Sequence, residues 1–351
     1  MASVLAKFIN VYKVWREQRR YKLCLLLVKL AAAGVIIYLL LNKVQIKRAD
    51  FAGVGLCWIT AAFAVIFLQS LLTGVRWWAL LRANNCRATL FEAVSLTMQG
   101  LFFTLFIPGG TVSGDVCKAA LIAAKTPENK RFNAAFSVLI DRVCGLCGLM
   151  MLAFCAAIIT LIFYPEPSPV FRQMMLLTMV AVPLFLVCAV MAFRCDLILK
   201  IRLFRKLYDW LNKLSGGAFA RIEEALAAYR TAWKTVLLWS LLSGFLLFPL
   251  IALGVWFICL GIPACGAWHN ISSAVGSLLS GSIGELAGIL PLTPGGIGVR
   301  DAVFVEIFKA CGTDPVSSTQ IPIIFTALFV LTNSSGGLFM LYTLLKTRSK
   351  K

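Results

Sequence analysis

The chain has 351 residues, of which 60% are hydrophobic and 14% are charged. Its mean hydropathy is +0.87, and several apolar runs reach the roughly 20 residues that a helix needs to cross a bilayer. The short alternating strands of a transmembrane barrel are absent from the sequence. These features exclude a soluble domain and predict an all-α, polytopic integral membrane protein.

The net charge of +19 does not indicate nucleic-acid binding, because the basic residues flank apolar runs, where they set orientation and meet anionic headgroups. The single histidine, His269, excludes most zinc hydrolases and Ser-His-Asp enzymes. Cys144 and Cys147 form a C-x-x-C pattern inside an apolar run without partner ligands nearby, so packing explains them better than a metal or redox site. We therefore predict no metal, no cofactor and no catalytic residue.

A membrane domain is predicted over residues 23–345, between a basic cytoplasmic segment, 1–22, and a cytoplasmic tail, 346–351. The connection at 194–231 is basic and amphipathic, which favours a position along the inner leaflet against anionic headgroups. An ordinary cytoplasmic loop is the alternative. Full spans are predicted at about 23–41, 52–75, 133–163, 170–193, 232–260 and 320–345.

Two further segments, about 91–124 and 271–309, are interrupted in the same way. Each contains the pattern P-G-G-x-x-x-x-D within apolar sequence, starting at Pro108 in the first and at Pro294 in the second. Proline ends a helix, and paired glycines permit close backbone approach. Each segment is therefore predicted to form a broken-helix hairpin that enters and leaves the membrane by one side.

The distribution of basic residues agrees with this topology. With both hairpins re-entrant, 25 lysines and arginines fall on one side and 5 on the other, as the positive-inside rule expects. This count places Arg76 in a cytoplasmic connection. Both termini are then cytoplasmic, and the two hairpins open to opposite sides. Opposed broken segments are typical of an inverted repeat with a substrate site near the midplane.

Charged residues within these segments are expected to be functional, since charge is costly in hydrocarbon. The helix after each glycine pair begins with unpaired N–H groups that suit a phosphate, so a phospholipid headgroup is the expected ligand. Arg142 or Arg300 is predicted to meet the phosphate, while Asp115 and Asp301 hold an amine or an arginine. Ion pairs that only fix helix packing are the alternative. Asp141 and Arg142 point roughly 100° apart on a helix, so they are predicted to pair elsewhere. The predicted substrate-binding residues are Pro108, Gly109, Gly110, Asp115, Lys118, Asp141, Arg142, Glu285, Pro294, Gly295, Gly296, Arg300 and Asp301.

At these residues the chain resembles the lysylphosphatidylglycerol synthase transmembrane region, a flippase-like family that includes the membrane half of bacterial multiple peptide resistance factors. The motifs that carry the resemblance are "IPGGTVSGDVCKAALIA", "LIDRVCGL" and "LPLTPGGIGVRDAVFVEIF", and it extends over about residues 20–345. The chain departs from the family pattern where Gly114 directly precedes Asp115. It also has the shorter Asp141 and Asp301 where the family commonly has glutamate.

The resemblance implies a multi-pass protein of the bacterial inner membrane, similar to domains that translocate lipids such as aminoacylated phosphatidylglycerol. Full resistance factors add a soluble domain that transfers lysine from charged tRNA. This chain ends at Lys351, directly after its last predicted span, so aminoacyl transfer is not expected from it.

The predicted function is therefore movement of an anionic or aminoacylated phospholipid between leaflets through a polar midplane cavity. Movement would be downhill or coupled to an ion or to a proton on Asp115, Asp301 or Glu285. One alternative is a membrane transferase with Asp115 or Asp301 as base, and another is a non-catalytic membrane partner of a separate synthase or glycosyltransferase. The predicted partners are membrane phospholipids, and no nucleic-acid partner is predicted. The sequence leaves open whether the protein forms a homo-oligomer.

Overall fold

The computed structural model describes residues 53–106, 111–163, 169–200, 202–265, 271–289 and 293–348. Within these ranges the chain forms helices and no strand, which confirms the all-α prediction. The predicted first span at 23–41 and the segment 1–22 lie outside the described residues. The helices are α1 (Leu56–Ala83), α2 (Leu90–Phe106), α3 (Thr111–Lys125), α4 (Arg131–Phe163), α5 (Pro169–Phe193), α6 (Cys195–Ile198), α7 (Arg202–Leu214), α8 (Ala218–Thr231), α9 (Trp233–Leu242), α10 (Phe248–Gly261), α11 (Ile271–Leu279), α12 (Glu285–Ile289), α13 (Val299–Ala310), α14 (Pro315–Ser334) and α15 (Gly336–Arg348).

Five helical segments in the described ranges are long and apolar enough to cross a membrane, which confirms a polytopic membrane protein. They match the five predicted spans that fall within these ranges. The largest boundary error is in α1, which continues to Ala83 instead of ending near residue 75. The five segments are Leu56–Ala83, Glu128–Phe163, Phe171–Phe193, Trp233–Gly261 and Pro315–Thr343.

Contacts between distant residues define two opposite ends of the helical bundle. At one end, Asn84 Nδ2 donates to the carbonyl oxygen of Asn133 at 3.3 Å, which joins the end of α1 to the start of α4. At the other, the Gly55 amide donates to the carbonyl oxygen of Gly261 at 2.8 Å, which joins the start of α1 to the end of α10. We call these the Asn84 end and the Gly261 end.

The first hairpin consists of α2 and α3 and starts from the Asn84 end. Glu92 in the first turn of α2 lies 3.8 Å from Lys125 in the last turn of α3, so the two helices are antiparallel. They pack closely because Gly114 lies against the carbonyl oxygen of Gly100, where a Cβ would collide. The predicted hairpin at 91–124 is therefore present as an antiparallel helix pair.

The second hairpin consists of α11, α12 and α13 and starts from the Gly261 end. Ser277 Oγ in α11 lies 3.7 Å from Cys259 Sγ near the end of α10. The turn Pro294–Gly296 contacts both α2 and α3, and a Cβ on Gly295 would lie 3.6 Å from the side chain of Leu105. The two hairpins thus approach from opposite ends and meet at their tips, as the inverted-repeat pattern predicted. How deeply each enters a bilayer stays a prediction.

Two π-helical turns interrupt the long helices close to this meeting point. Ser243–Leu247 joins α9 to α10, and Ser280–Gly284 joins α11 to α12. A Cβ on Gly244 would lie only 2.9 Å from the carbonyl oxygen of Gly148 in α4, and one on Gly281 would lie 2.8 Å from Ala252. Such turns are frequent at functional sites, since they re-aim side chains within a helix.

The connection between α5 and α9 folds as short helices against the Asn84 end. Tyr229 of α8 is fully buried in a cluster with Leu80 of α1. The Tyr208 hydroxyl of α7 donates to Glu223 of α8 at 2.7 Å. Desolvation, followed by this hydrogen bond, raises the pKa of Tyr208 to about 12, so the hydroxyl stays a donor at neutral pH. Trp210 of α7 is exposed, and the predicted contact of this connection with the inner leaflet stays a prediction.

Candidate functional site

One cavity of about 380 Å3 lies where the two hairpins meet. The first hairpin contributes α2 and α3 to its wall, and the second contributes α12, Gly295 and the start of α13. The rest of the wall comes from α1, α4, α10 and α14. The polar side chains that line it are Gln69, Ser70, Thr73, Arg76, Thr104, Thr111, Asp115, Arg142, Glu285, Arg300, Thr332 and Asn333.

A buried ion cluster around Asp141 joins α1, α3 and α4 at the cavity wall. The Asp141 carboxylate accepts from Arg76 Nε at 2.8 Å and from Lys118 Nζ at 3.2 Å. Arg76 also donates to Ser243 Oγ at 3.0 Å, and Lys118 Nζ lies 3.9 Å from the centre of the Trp77 ring. Placing Arg76 in a connection after the span was wrong, because α1 continues past it with Trp77 fully buried. The pairing makes burial of this arginine tolerable.

A second ion pair lies at the edge of the cavity between α3 and α4. Arg142 Nε lies 2.6 Å from Asp115 Oδ2, and its Nη2 donates to Oδ1 at 2.7 Å, which is a bidentate pair. The two side chains are 47% and 24% exposed and also line the cavity. Exposed apolar side chains of Val112, Val116 and Leu139 surround them. The cavity therefore reaches the outer surface here, among exposed apolar side chains. The prediction that the two charged neighbours on α4 pair with different partners is confirmed.

Arg300 of α13 is held in place on the opposite wall. Its side chain is 1% exposed, and Nη2 donates to Thr326 Oγ1 at 2.9 Å. Nη1 lies 3.5 Å from Glu285 Oε1, and the guanidinium carbon lies 4.6 and 4.5 Å from the ring centres of Phe325 and Phe329. These contacts hold the guanidinium against two aromatic rings, where cation–π attraction adds to the ion pair.

Asp301 has a local role at the start of α13. Its Oδ2 accepts from the Gly298 amide at 2.9 Å, and its Oδ1 accepts from Thr326 Oγ1 at 2.7 Å. The residue therefore caps α13 and stands behind the cavity wall. The turn before it requires glycine, since Gly296 has φ +75° and a Cβ there would lie 2.6 Å from Gly288.

The predicted site residues thus fall into three groups. Five of the thirteen residues border the cavity. A second group lies directly behind the cavity wall or in the turn of the second hairpin. Three more lie outside the described residues. Binding of substrate by any of them stays a prediction. The first group is Asp115, Arg142, Glu285, Gly295 and Arg300, the second is Lys118, Asp141, Pro294, Gly296 and Asp301, and the third is Pro108, Gly109 and Gly110.

Sequence reasoning missed a neutral polar part of the wall. Gln69, Ser70 and Thr73 follow one another along a single face of α1, and Thr332 and Asn333 lie in α14. The first three recur at helical spacing inside an apolar run, which is a signal that could have been used. The last two stand in an "LTNSS" segment that resembles the polar end of a span.

Comparison with known proteins gives one finding. A family model described as the Lysylphosphatidylglycerol synthase TM region matches residues 26–333. The matched range includes both hairpins and every polar residue of the cavity wall. No curated protein and no solved structure matches the chain.

Proposed function

Since the chain belongs to the lysylphosphatidylglycerol synthase TM region family and is a multi-pass membrane protein related to lipid handling, we propose that it moves an anionic or aminoacylated phospholipid between leaflets. The headgroup would pass through the cavity between the hairpins while the acyl chains stay in lipid. The setting we propose is the bacterial inner membrane with both termini in the cytoplasm.

The observation that carries this proposal is a cavity that both hairpins share, with charged and polar side chains in its wall and an opening at Asp115 and Arg142. Both hairpins border the cavity from opposite ends, as expected for a site reached alternately from two sides. At the opening, Asp115 and Arg142 stand among exposed apolar side chains. A lipid needs such an arrangement, because its headgroup must enter a polar space while its tails remain in hydrocarbon.

The distribution of charge around the cavity suits a headgroup with a phosphate. On the first-hairpin side, Arg76, Lys118 and Arg142 face two carboxylates, which leaves a formal excess of one positive charge. On the second-hairpin side, Arg300 faces two carboxylates, Glu285 and Asp301, which leaves one negative charge. A phosphate complements the first side and an amine complements the second, which supports an aminoacylated lipid.

Arg142 is the residue that we propose to receive the phosphate. It is the most exposed of the cavity arginines, and its present partner Asp115 is reachable from the same opening. A lipid phosphate could replace the Asp115 carboxylate on the guanidinium with the same bidentate geometry. Arg300 is less free to do so, because aromatic rings and Thr326 hold its guanidinium. Glu285 is the carboxylate we propose for proton coupling, since it borders the cavity.

The test is leaflet exchange in liposomes that contain the purified protein. Fluorescent phosphatidylglycerol and its lysyl form would be followed by quenching of the outer leaflet. Arg142→Ala should slow exchange at least about tenfold, as expected for loss of a charge-assisted contact. Arg131→Ala is the matched control on the same helix, since Arg131 pairs with the exposed Glu128.

Exchange at the protein-free rate for every lipid would reject the proposal. A new lipid product detected by mass spectrometry with candidate donors would then favour the transferase alternative. Stable co-purification with a synthase or glycosyltransferase would favour the membrane-partner alternative. Unchanged exchange in Arg142→Ala would reject the assigned role of this residue.

A further inference from the structure

Two buried polar groups of α14 face the cavity without a partner. Thr332 and Asn333 are each 1% exposed, both line the cavity, and neither Thr332 Oγ1 nor Asn333 Nδ2 makes a hydrogen bond in the described structure. Leaving a buried donor or acceptor unpaired is unfavourable, and native proteins rarely do so. Something within the cavity is therefore expected to complete these hydrogen bonds.

Buried hydroxyls elsewhere on α14 behave in both ways, since Ser317 Oγ also has no hydrogen-bond partner among the described residues. Thr319 is fully buried too, but its hydroxyl donates to the carbonyl oxygen of Pro315 at 3.0 Å, one turn earlier. Thr332 lacks the corresponding bond within the helix. What distinguishes Thr332 from both Ser317 and Thr319 is that it borders the cavity, where a bound group can reach its hydroxyl.

The packing partner α1 supplies acceptors to the same cavity. The Gln69 side-chain nitrogen donates to Thr73 Oγ1 at 3.3 Å. The Thr73 hydroxyl in turn donates to the backbone carbonyl oxygen of Gln69 at 3.0 Å. The Gln69 side-chain oxygen accepts no hydrogen bond among the described residues. Ser70 donates to Ile66 at 3.2 Å, so its oxygen keeps acceptor capacity.

This wall of neutral donors and acceptors has a definite chemical preference. Asn333 offers a donor, Gln69 offers an acceptor and Thr332 offers either. A hydroxyl group needs both kinds of partner, whereas a quaternary ammonium group needs neither and a primary ammonium group only donates. No ionised side chain belongs to this set, so the wall does not select by charge.

We propose that Thr332, Asn333 and Gln69 form a subsite for headgroup hydroxyls. This inference rests on the proposed function and specifies its substrate as a lipid with a glycerol-like or sugar-like headgroup. The cavity would then distinguish lipids of equal charge by their hydroxyls.

The experiment compares lipids that differ only at these groups. Phosphatidylglycerol and phosphatidylpropanol carry the same phosphodiester charge on a three-carbon headgroup, but the second has no free hydroxyl. With the full chain in liposomes, exchange of phosphatidylglycerol should be about tenfold faster or more, and Thr332→Val or Asn333→Leu should bring the ratio close to one. Thr319→Val should preserve the ratio. Phosphatidylinositol in a third arm separates a sugar-like headgroup from glycerol.

A second measurement keeps the inference testable if the protein moves no lipid. In detergent, phosphatidylglycerol should raise the melting temperature more than phosphatidylpropanol does, and Asn333→Leu should remove this difference. Such a result without leaflet exchange would reject the proposed function and keep the subsite. Equal behaviour of the two lipids in both assays, or an unchanged preference in both α14 variants, would overturn the inference and leave water as the partner of this wall.

Discussion

Neutralising Asp141 should destabilise the protein far more than neutralising Asp115, although each carboxylate pairs with an arginine. Asp141 is 4% exposed and has two cationic partners, each 6% exposed, so Asp141→Asn leaves Arg76 and Lys118 buried without the carboxylate that pairs with them. Breaking a buried ion pair in this way costs about 3–5 kcal/mol. We expect the lower part of this range, because asparagine can still accept a hydrogen bond from Arg76.

The corresponding change at the cavity opening is expected to be mild. Arg142 is 47% exposed and borders the cavity, so we expect water to solvate the cation that Asp115→Asn leaves unpaired. Exposed pairs contribute about 0.2–1 kcal/mol. The expected difference between the two variants is therefore at least about 2 kcal/mol, from the same chemical change at two degrees of burial.

Equilibrium unfolding in mixed micelles, followed by tryptophan fluorescence, measures both variants under one condition. Glu128→Gln is the control, since its 85% exposed carboxylate should contribute almost nothing. An equal loss in Asp141→Asn and Asp115→Asn would show that no water reaches the Asp115–Arg142 pair and that the cavity opening is dry. That result would refute the reasoning on which the lipid path depends.

Further changes test packing, capping and the membrane surface. Gly114→Ala should cost about 1–3 kcal/mol, because its Cβ would collide with the backbone of α2; unfolding at the wild-type midpoint would contradict this contact. Thr89→Ala removes the Thr89–Glu92 capping box of α2 and should cost about 1 kcal/mol, with faster hydrogen exchange in its first turn. Arg205→Gln with Lys206→Gln should weaken attachment of α7 to anionic bilayers by about 1 kcal/mol per charge. Hydrogen exchange of α7 in the variant would then be faster in anionic nanodiscs but unchanged in neutral ones. Equally faster exchange in both kinds of nanodisc would favour an ordinary loop.

The long spans could be predicted because hydrophobicity is a local property of the chain. Each predicted span within the described ranges corresponds to an apolar helix. The error at Arg76 has the same origin, since a charge in a hydropathy profile resembles the end of a span. The profile carries no information about Asp141, which lies 65 residues away in sequence and pairs with Arg76.

The site could be predicted in part, for a different reason. Repetition of P-G-G-x-x-x-x-D located both hairpins, and the rarity of charge in apolar sequence indicated Asp115, Arg142, Glu285 and Arg300. Neutral polar residues gave no comparable signal. Serine, threonine and asparagine occur in membrane helices for packing as well as for binding, so their type alone does not separate the two roles.

The sequence by itself determined that this protein is helical, crosses a membrane several times and is interrupted twice in the same way. It did so because the length of an apolar run and a break at proline and glycine are local properties, which depend only on residues close together in the chain. Only the tertiary structure decided that the hairpins meet around one cavity, that Asp301 caps its own helix, and that Thr332 and Asn333 face the cavity unpaired. These features depend on which helix faces are brought together, and that is set by long-range packing between small residues and buried ion pairs.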